Sequence, residues 1–238
     1  MVREKKGFAL EKYYSKIYRR YDLINRLFTF GLDQKWRRIT AEKCLLNNPH
    51  NIIDLCCGTG DLAFAICKLQ TNNIRITGYD FNENMLEIAK RKADKEPFKT
   101  INFIKGEASD LPFESGSIDA ITIGFGFRNL TFENLNREKH ISEMYRVLAR
   151  GGSIYILESS VPDNFIIRIL YKLYLYLFLI PLGSVISGNP KAYWYLAHSS
   201  SNFYNMAEVR TLLLKNGFEN VKSHRFMFGA ANLIIAQK

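Results

Sequence analysis

The chain has 238 residues, 47% of them hydrophobic, which excludes a disordered polar tail and allows one large domain, or one domain with an insertion. Its formal net charge of +10 favours negatively charged partners, either nucleic acid or the anionic face of a cytoplasmic membrane, although plain solubility accounts for the same charge. Four cysteines, Cys44, Cys56, Cys57 and Cys67, show no C-x-x-C spacing, which excludes a zinc pattern and a disulfide framework and fits reduced thiols in a cytosolic compartment.

Residues 1–46 precede the first central strand. The first six are basic and carry no apolar leader run, so no secretory signal is expected. Residues 8–21 interleave Tyr with Lys and Arg, as an amphipathic helix does, and 36–46 predict another helix. Such an aromatic-rich arm either closes over a pocket or caps a sheet. Residues 51–55 then form a short apolar run ending near Asp54, suited to a central strand covered on both faces. Cys56-Cys57-Gly58-Thr59-Gly60 follows as a tight turn in which Gly58 and Gly60 leave room for a ligand to approach the main chain. Asp61 stands in the N-cap position of a helix predicted over 61–68.

A second strand over 74–79 ends at Asp80, about twenty residues past the turn, where an acidic side chain accepts hydrogen bonds from ribose hydroxyls. The turn departs from G-x-G-x-x-G because Ala63 holds the third glycine position, and no G-x-x-x-x-G-K-[ST] loop occurs. A nucleoside site without a pyrophosphate cradle points to S-adenosylmethionine rather than NAD or ATP. A helix over 83–95 follows, with Asn82 as N-cap and Met85, Leu86, Ile88 and Ala89 inward. Strands are expected over 101–105, 118–124 and 153–158, with a helix over 134–148. This alternation means right-handed crossovers and a mostly parallel sheet.

Residues 162–205 break the rhythm. They are strongly apolar, but Arg168, Lys172, Pro181 and Gly183 interrupt, leaving an unbroken apolar run of about eight residues where a membrane span needs roughly 20. The expectation is a helical insertion that covers a greasy pocket or lies on a membrane surface. A helix over 207–215 and strands over 221–226 and 231–236 close the chain as an antiparallel edge hairpin. The fold class is therefore α/β: a Rossmann-like, seven-stranded, mostly parallel sheet in a single domain spanning 1–238, with a helical arm over 1–46 and the insertion after strand five.

Several stretches together resemble the C-methyltransferases of menaquinone and ubiquinone biosynthesis (the UbiE type) along nearly the full length. They are Tyr21-Asp22-Leu23-Ile24-Asn25, the segment from Asp54 to Asp61, Asp80 with Asn82 and Met85-Leu86, Ala108 with Leu111-Pro112-Phe113, Phe125-Gly126-Phe127-Arg128-Asn129, Arg146-Val147-Leu148, and the segment from Tyr193 to Leu196. The F-G-x-R-N stretch is the most specific of these; the glycine turn is shared by many class I methyltransferases. The resemblance implies that Asp54, Gly58, Thr59, Gly60, Asp80, Glu107 and Ala108 form the S-adenosylmethionine site. It implies Arg128 and Asn129 as catalytic residues, with Tyr21, Asp22 and Tyr195 as weaker substrate contacts. The chain departs from the family at Glu107, usually Asp or Asn; at Gly124, often Ser; and at Asp33, commonly His.

The implied reaction moves a methyl from a sulfonium to a ring carbon of a prenylated quinol, with demethylmenaquinol the expected acceptor. The donor is already electrophilic, so no metal is expected. The acceptor carbon is weak until an adjacent hydroxyl ionises. With a phenolic pKa near 10, a phenolate at neutral pH asks for roughly 4 kcal/mol from the site. A guanidinium aimed at the developing oxyanion supplies much of that in a dry pocket. The enzyme is expected in the cytoplasm, peripheral at the inner membrane face, with a homodimer left open. Two competitors remain. A nucleic-acid methyltransferase, or one acting on another small molecule, would share the donor site, but no Asn/Asp-Pro-Pro-Tyr motif occurs, so no nucleic-acid partner is expected. A non-enzymatic module would not need Gly58, Gly60 and Asp80 intact.

Overall fold

A computed structural model describes residues 21–95 and 97–238. The helix expected over 8–21 falls outside the described residues except for its last position, and the side chain of Tyr21 is likewise outside them. The described chain opens on α1 (Tyr21–Phe28) and α2 (Leu32–Leu45), joined by Gly31 in the left-handed region at φ 75°. Seven strands follow: β1 (Asn51–Leu55), β2 (Arg75–Asp80), β3 (Asn102–Lys105), β4 (Ile118–Gly124), β5 (Leu148–Ser159), β6 (Glu219–Phe226) and β7 (Ala231–Gln237). Their spatial order is β3-β2-β1-β4-β5-β7-β6. The first five run parallel, while β7 is antiparallel to both β5 and β6. The expected edge hairpin is present, folded back so that its second strand joins the sheet and its first forms the edge.

Each strand reads its alternation onto the two faces. Ile52 and Ile76 face one buried cluster with Trp36, Ala41 and Cys44 of α2. Ile53, Leu55 and Ile121 face the other, with Ile141, Met144 and Val147 of a crossing helix. Burying an aliphatic side chain of this size stabilises by about 1.5–3 kcal/mol. Two fully covered faces explain the near-continuous apolar runs that predicted the central strands. The parallel order reverses beside β1, because β2 lies on one side of it and β4 on the other. That switch point opens a crevice at the carboxyl ends of β1 and β4.

Helix boundaries differ from the expectation in two places. Asp61 is the first residue of α3 (Asp61–Leu69), not its cap. Gly60 occupies the cap position at φ 86°, so the turn and the cap are one glycine. Asn82 does cap α4 (Glu83–Ala93), accepting from the Met85 amide. The helix expected over 134–148 starts three residues late, and a helix that the sequence did not announce precedes it. A short α5 (Phe127–Thr131) follows β4, and α6 (Arg137–Val147) begins later because Phe132 takes an extended conformation between them.

The insertion holds the largest difference. α7 (Phe165–Tyr174), a π-helical turn (Leu175–Leu179) and α8 (Ile180–Ser187) form one continuous helix of 23 residues, long and apolar enough to cross a membrane by length and composition. Pro181 does not break it. Proline lacks the N–H that would bond back one turn, and the preceding turn widens to a π pattern that needs no such bond. Gly183 permits close packing, since a Cβ there would collide with the Tyr193 ring. Only 17% of its most apolar window is buried. Leu175 and Leu179 pack with Ile24 of α1 and Ala192, Tyr193 and Ala197 of α9 (Pro190–Ser201), and the outward face is left in contact with solvent. The capping box of Asn205 and Glu208 then starts α10 (Met206–Lys215).

Candidate active site

The glycine turn is held from beneath by buried carboxylates. Asp54 is fully buried; its Oδ1 accepts from the Thr122 hydroxyl at 2.9 Å and its Oδ2 from the Ala63 amide at 3.1 Å. The third-glycine position thus spends its N–H on Asp54, in agreement with the missing pyrophosphate motif. Burial pushes the Asp54 carboxyl up to about 7, despite Thr122 and Arg37 pulling the other way. Asp80 accepts from the Gly58 amide at 2.9 Å and from the Asn82 amide at 2.8 Å, tying the end of β2 to the turn. Burial also raises Asp80, to about 6, because those amides offset only part of the desolvation. Each carboxylate oxygen keeps a further lone pair for a ribose hydroxyl.

Gly58 has φ 55°, and a Cβ built on it meets nothing within 4 Å, so the main chain here is open to a ligand. Ala108 is buried and Glu107 is exposed beside Asp80, whose carboxyl its charge helps to raise. These residues fit S-adenosylmethionine: an open glycine turn, a strand-end acid for the ribose, and no phosphate cradle.

Thr59 and Asp22 meet each other. The Thr59 hydroxyl donates to Asp22 Oδ1 at 2.6 Å, and Lys92 Nζ bridges Asp22 at 2.6 Å and Asp61 at 2.8 Å. Asp22, expected near the acceptor, is therefore placed at the donor turn, where it anchors α1. Burial alone would raise Asp61, but Arg37 and Lys92 hold its carboxyl below the ordinary value.

Across the crevice, Arg128 and Asn129 lie within α5, with Gly126 at its N-cap. Arg128 is 3% exposed. Its amide donates to Glu158 Oε2 at 3.0 Å, its Nε lies 3.8 Å from Glu158 Oε1, and its guanidinium donates to the Ser199 hydroxyl. The Tyr195 hydroxyl donates to Asn129 Oδ1 at 3.4 Å. Arg128 and Tyr195 line a cavity of about 420 Å³, with Tyr171 beside them and Ile24, Phe28 and Leu179 on its apolar walls. That volume falls within the roughly 300–1,000 Å³ of small-molecule sites. Burial raises the phenols of Tyr171, to about 12, and of Tyr195, with Arg128 lowering both, so each stays a hydroxyl donor at neutral pH.

Sequence reasoning missed Glu158, Ser199, Tyr171 and Arg37. Glu158 offered one signal, an acid ending the apolar run of β5 at the same carboxyl edge as Asp80. Ser199 and Tyr171 offered none, since they reach Arg128 only through the packing of the insertion. His198 stacks on Trp194 at 4.9 Å and takes no part in the site.

Known proteins share the sequence and the fold. The ubiE/COQ5 methyltransferase family profile matches residues 1–238. A demethylmenaquinone methyltransferase from Thermus thermophilus is 38% identical over 94% of this chain and 99% of its own length. A ubiquinone/menaquinone biosynthesis C-methyltransferase UbiE from Geotalea daltonii is 34% identical over 98% of this chain and 97% of its own. The solved structure of a SAM-dependent methyltransferase from Thermotoga maritima shares the fold, with a TM-score of 0.60 at 22% identity over 94% of this chain and 99% of that one. The chain therefore belongs to the ubiE/COQ5 methyltransferase family and is an S-adenosylmethionine-dependent methyltransferase.

Proposed function

We propose that the chain methylates a ring carbon of demethylmenaquinol at the anionic cytoplasmic face of a membrane. The observation that carries this is an apolar cavity with Arg128 at its polar end and an exposed apolar rim. Phe30 and Phe228 stand at the rim, 77% and 81% exposed, and the outward side of the long helix adds Phe165, Ile166, Leu177 and Val185. Exposed patches of this kind mark interaction sites in soluble proteins. A ring needs the polar end, a prenyl tail needs the walls, and a tail longer than the cavity leaves through the rim into lipid. The net charge of +10 complements an anionic leaflet. The name of the Thermus thermophilus relative supports a naphthoquinol acceptor. A benzoquinol is the second reading, supported by the double name of the Geotalea daltonii relative.

Bound S-adenosylmethionine supplies an electrophilic methyl group. The acceptor hydroxyl would give its proton to water, and the Arg128 guanidinium would stabilise the oxyanion left behind; this activates the adjacent carbon, whose ring proton would leave to water once the methyl is added. Glu158 acts as a positioning residue: it accepts from the Arg128 amide and pairs with the side chain, fixing the direction of the guanidinium. Tyr195, whose hydroxyl is held by Asn129, and Tyr171 orient the acceptor oxygen. The apolar walls around them limit water and so strengthen these interactions. Mass spectrometry of the quinone pool in cells with and without the chain tests the assignment. Accumulation of demethylated naphthoquinone in its absence is expected, and an unchanged pool rejects the proposal. Flotation tests the membrane part. The triple variant F165S/L177S/V185S should bind phosphatidylglycerol vesicles roughly tenfold more weakly; equal flotation removes the membrane from the account.

A further inference from the structure

Arg37 is a buried cation that the assigned site does not use. It lies on α2 and is 6% exposed. The helix is pinned in place by Trp36, whose ring stacks on Phe226 at 5.6 Å. From there the guanidinium reaches over the carboxyl end of β4, 5.3 Å from the centre of the Phe125 ring. Gly124 makes that reach possible: a Cβ on it would lie 2.7 Å from the Arg37 terminal nitrogen. Phe125 itself lies in the left-handed region at φ 63°. The guanidinium therefore lies at the carboxyl end of β4, close enough to Asp54 and Asp61, which flank the glycine turn, to pull both carboxyls down.

Its protein partners are incomplete. The nearest carboxylate, Asp33, is 3.8 Å from Arg37 Nε. Asp33 already accepts from the Thr29 hydroxyl at 2.9 Å and from the Gln34 amide nitrogen at 3.1 Å. Among the described residues, Arg37 Nε has no hydrogen-bond partner. A guanidinium carries five donors in a planar fork that matches a carboxylate, and leaving them unpaired in a buried place is costly. The residues that fit the nucleoside, Gly58, Asp80 and Ala108, leave the amino-acid end of the donor without a cation.

We propose that Arg37 binds the carboxylate of the methionine moiety of S-adenosylmethionine, with the missing side chain at Gly124 making room for the pair. The carboxylate completes the guanidinium's hydrogen bonds, and the buried pair fixes the direction of the amino-acid arm and with it the sulfonium. The assignment concerns the donor alone and stands or falls independently of the acceptor.

Calorimetry with two ligands tests it on the full chain, without turnover. S-adenosylhomocysteine and its decarboxylated analogue differ by the carboxylate only. The wild type should prefer the former by roughly 10- to 100-fold, the range of a charge-assisted hydrogen-bonded pair. Arg37→Lys should keep part of that preference, and Arg37→Gln should bring it close to one. If Arg37 were only the counter-ion of Asp33, both ligands would weaken together and the ratio would stay at the wild-type value, which overturns the proposal. A wild-type ratio near one overturns it as well. Should Arg37→Gln fail to fold by circular dichroism, Arg37→Lys decides: a ratio unchanged from wild type rejects the role, and a reduced ratio supports it.

Discussion

The donor turn and the acceptor cavity lie on either side of the same sheet edge and are built by opposite means. The donor turn is made of main chain. Its amides at Gly58, Ala63 and Asn82 are fixed by Asp54 and Asp80, and its shape follows from residues close together in sequence. The acceptor cavity is made of side chains. Arg128 from α5 meets Glu158 from β5 and Ser199 from α9, 71 residues further on. Main-chain cradles transfer between enzymes that share a cofactor, because the cofactor is constant. Side-chain cavities carry the specificity, because each wall can change alone.

The largest effect should come from breaking the cavity and leaving the turn intact. Arg128→Ala should lower turnover by roughly a thousandfold or more, since it removes the charge that stabilises the oxyanion. The Kd for S-adenosylhomocysteine should stay within about threefold, because no donor contact is touched. Substantial surviving turnover would move catalysis away from Arg128. Glu158→Gln comes next. It keeps the shape but removes the charge that holds the guanidinium, and kcat should fall by roughly a hundredfold. Removing one partner of a buried pair also costs about 3 kcal/mol of stability, read as a lower midpoint in urea. A purely structural Glu158 would lower the midpoint and leave kcat at saturating substrate alone.

Acidity probes the turn and leaves the cavity alone. Asp80 and Asp54 both have folded values, about 6 and about 7, above the ordinary 3.8. Between the ordinary and folded values the folded protein holds more protons than the unfolded one, so stability falls as pH rises through that window. The free protein should therefore be more stable near pH 5 than near pH 7. Donor affinity should run the other way, strengthening as pH rises through about 6, because the ribose hydroxyls bond best to an ionised Asp80. Asp80→Asn should flatten that part of the affinity profile and weaken binding by roughly tenfold. Parallel slopes for stability and affinity would remove Asp80 from the donor site.

The same contrast explains what could be read in the sequence. The five parallel strands and the glycine turn after β1 were legible because apolar runs and glycine spacing are local signals. α5 was not, since Phe127–Thr131 is too short to show a helical period. The long helix was hidden by Pro181 and Gly183, which read as breaks. Only the π turn and the approach of Tyr193 show why they are tolerated. Arg128 was found through resemblance, and its partner Glu158 was passed over because one acid at a strand end says nothing of what faces it. The bond between Asp22 and Thr59 was not legible, because a residue of the arm has no spacing relation to the turn that it reaches.

Asp22 joins the two regions. α1 lines the cavity with Ile24 and Phe28, and its Asp22 holds Thr59 and Lys92 at the donor turn. A donor that orders the turn should also order α1, and so firm one wall of the cavity before the acceptor enters. Hydrogen exchange over residues 22–28 measures this directly. In the wild type, S-adenosylhomocysteine should slow exchange there; in Asp22→Asn that gain should be largely lost, because the amide keeps the Thr59 contact but gives up the charge pair with Lys92. The stability change should be small, under about 1 kcal/mol, since Lys92 is 32% exposed and its pairs are screened. The cost should appear instead as a KM for quinol raised a few-fold, with kcat nearly unchanged. An equal gain in protection in wild type and variant would mean that the two halves of the site are filled independently.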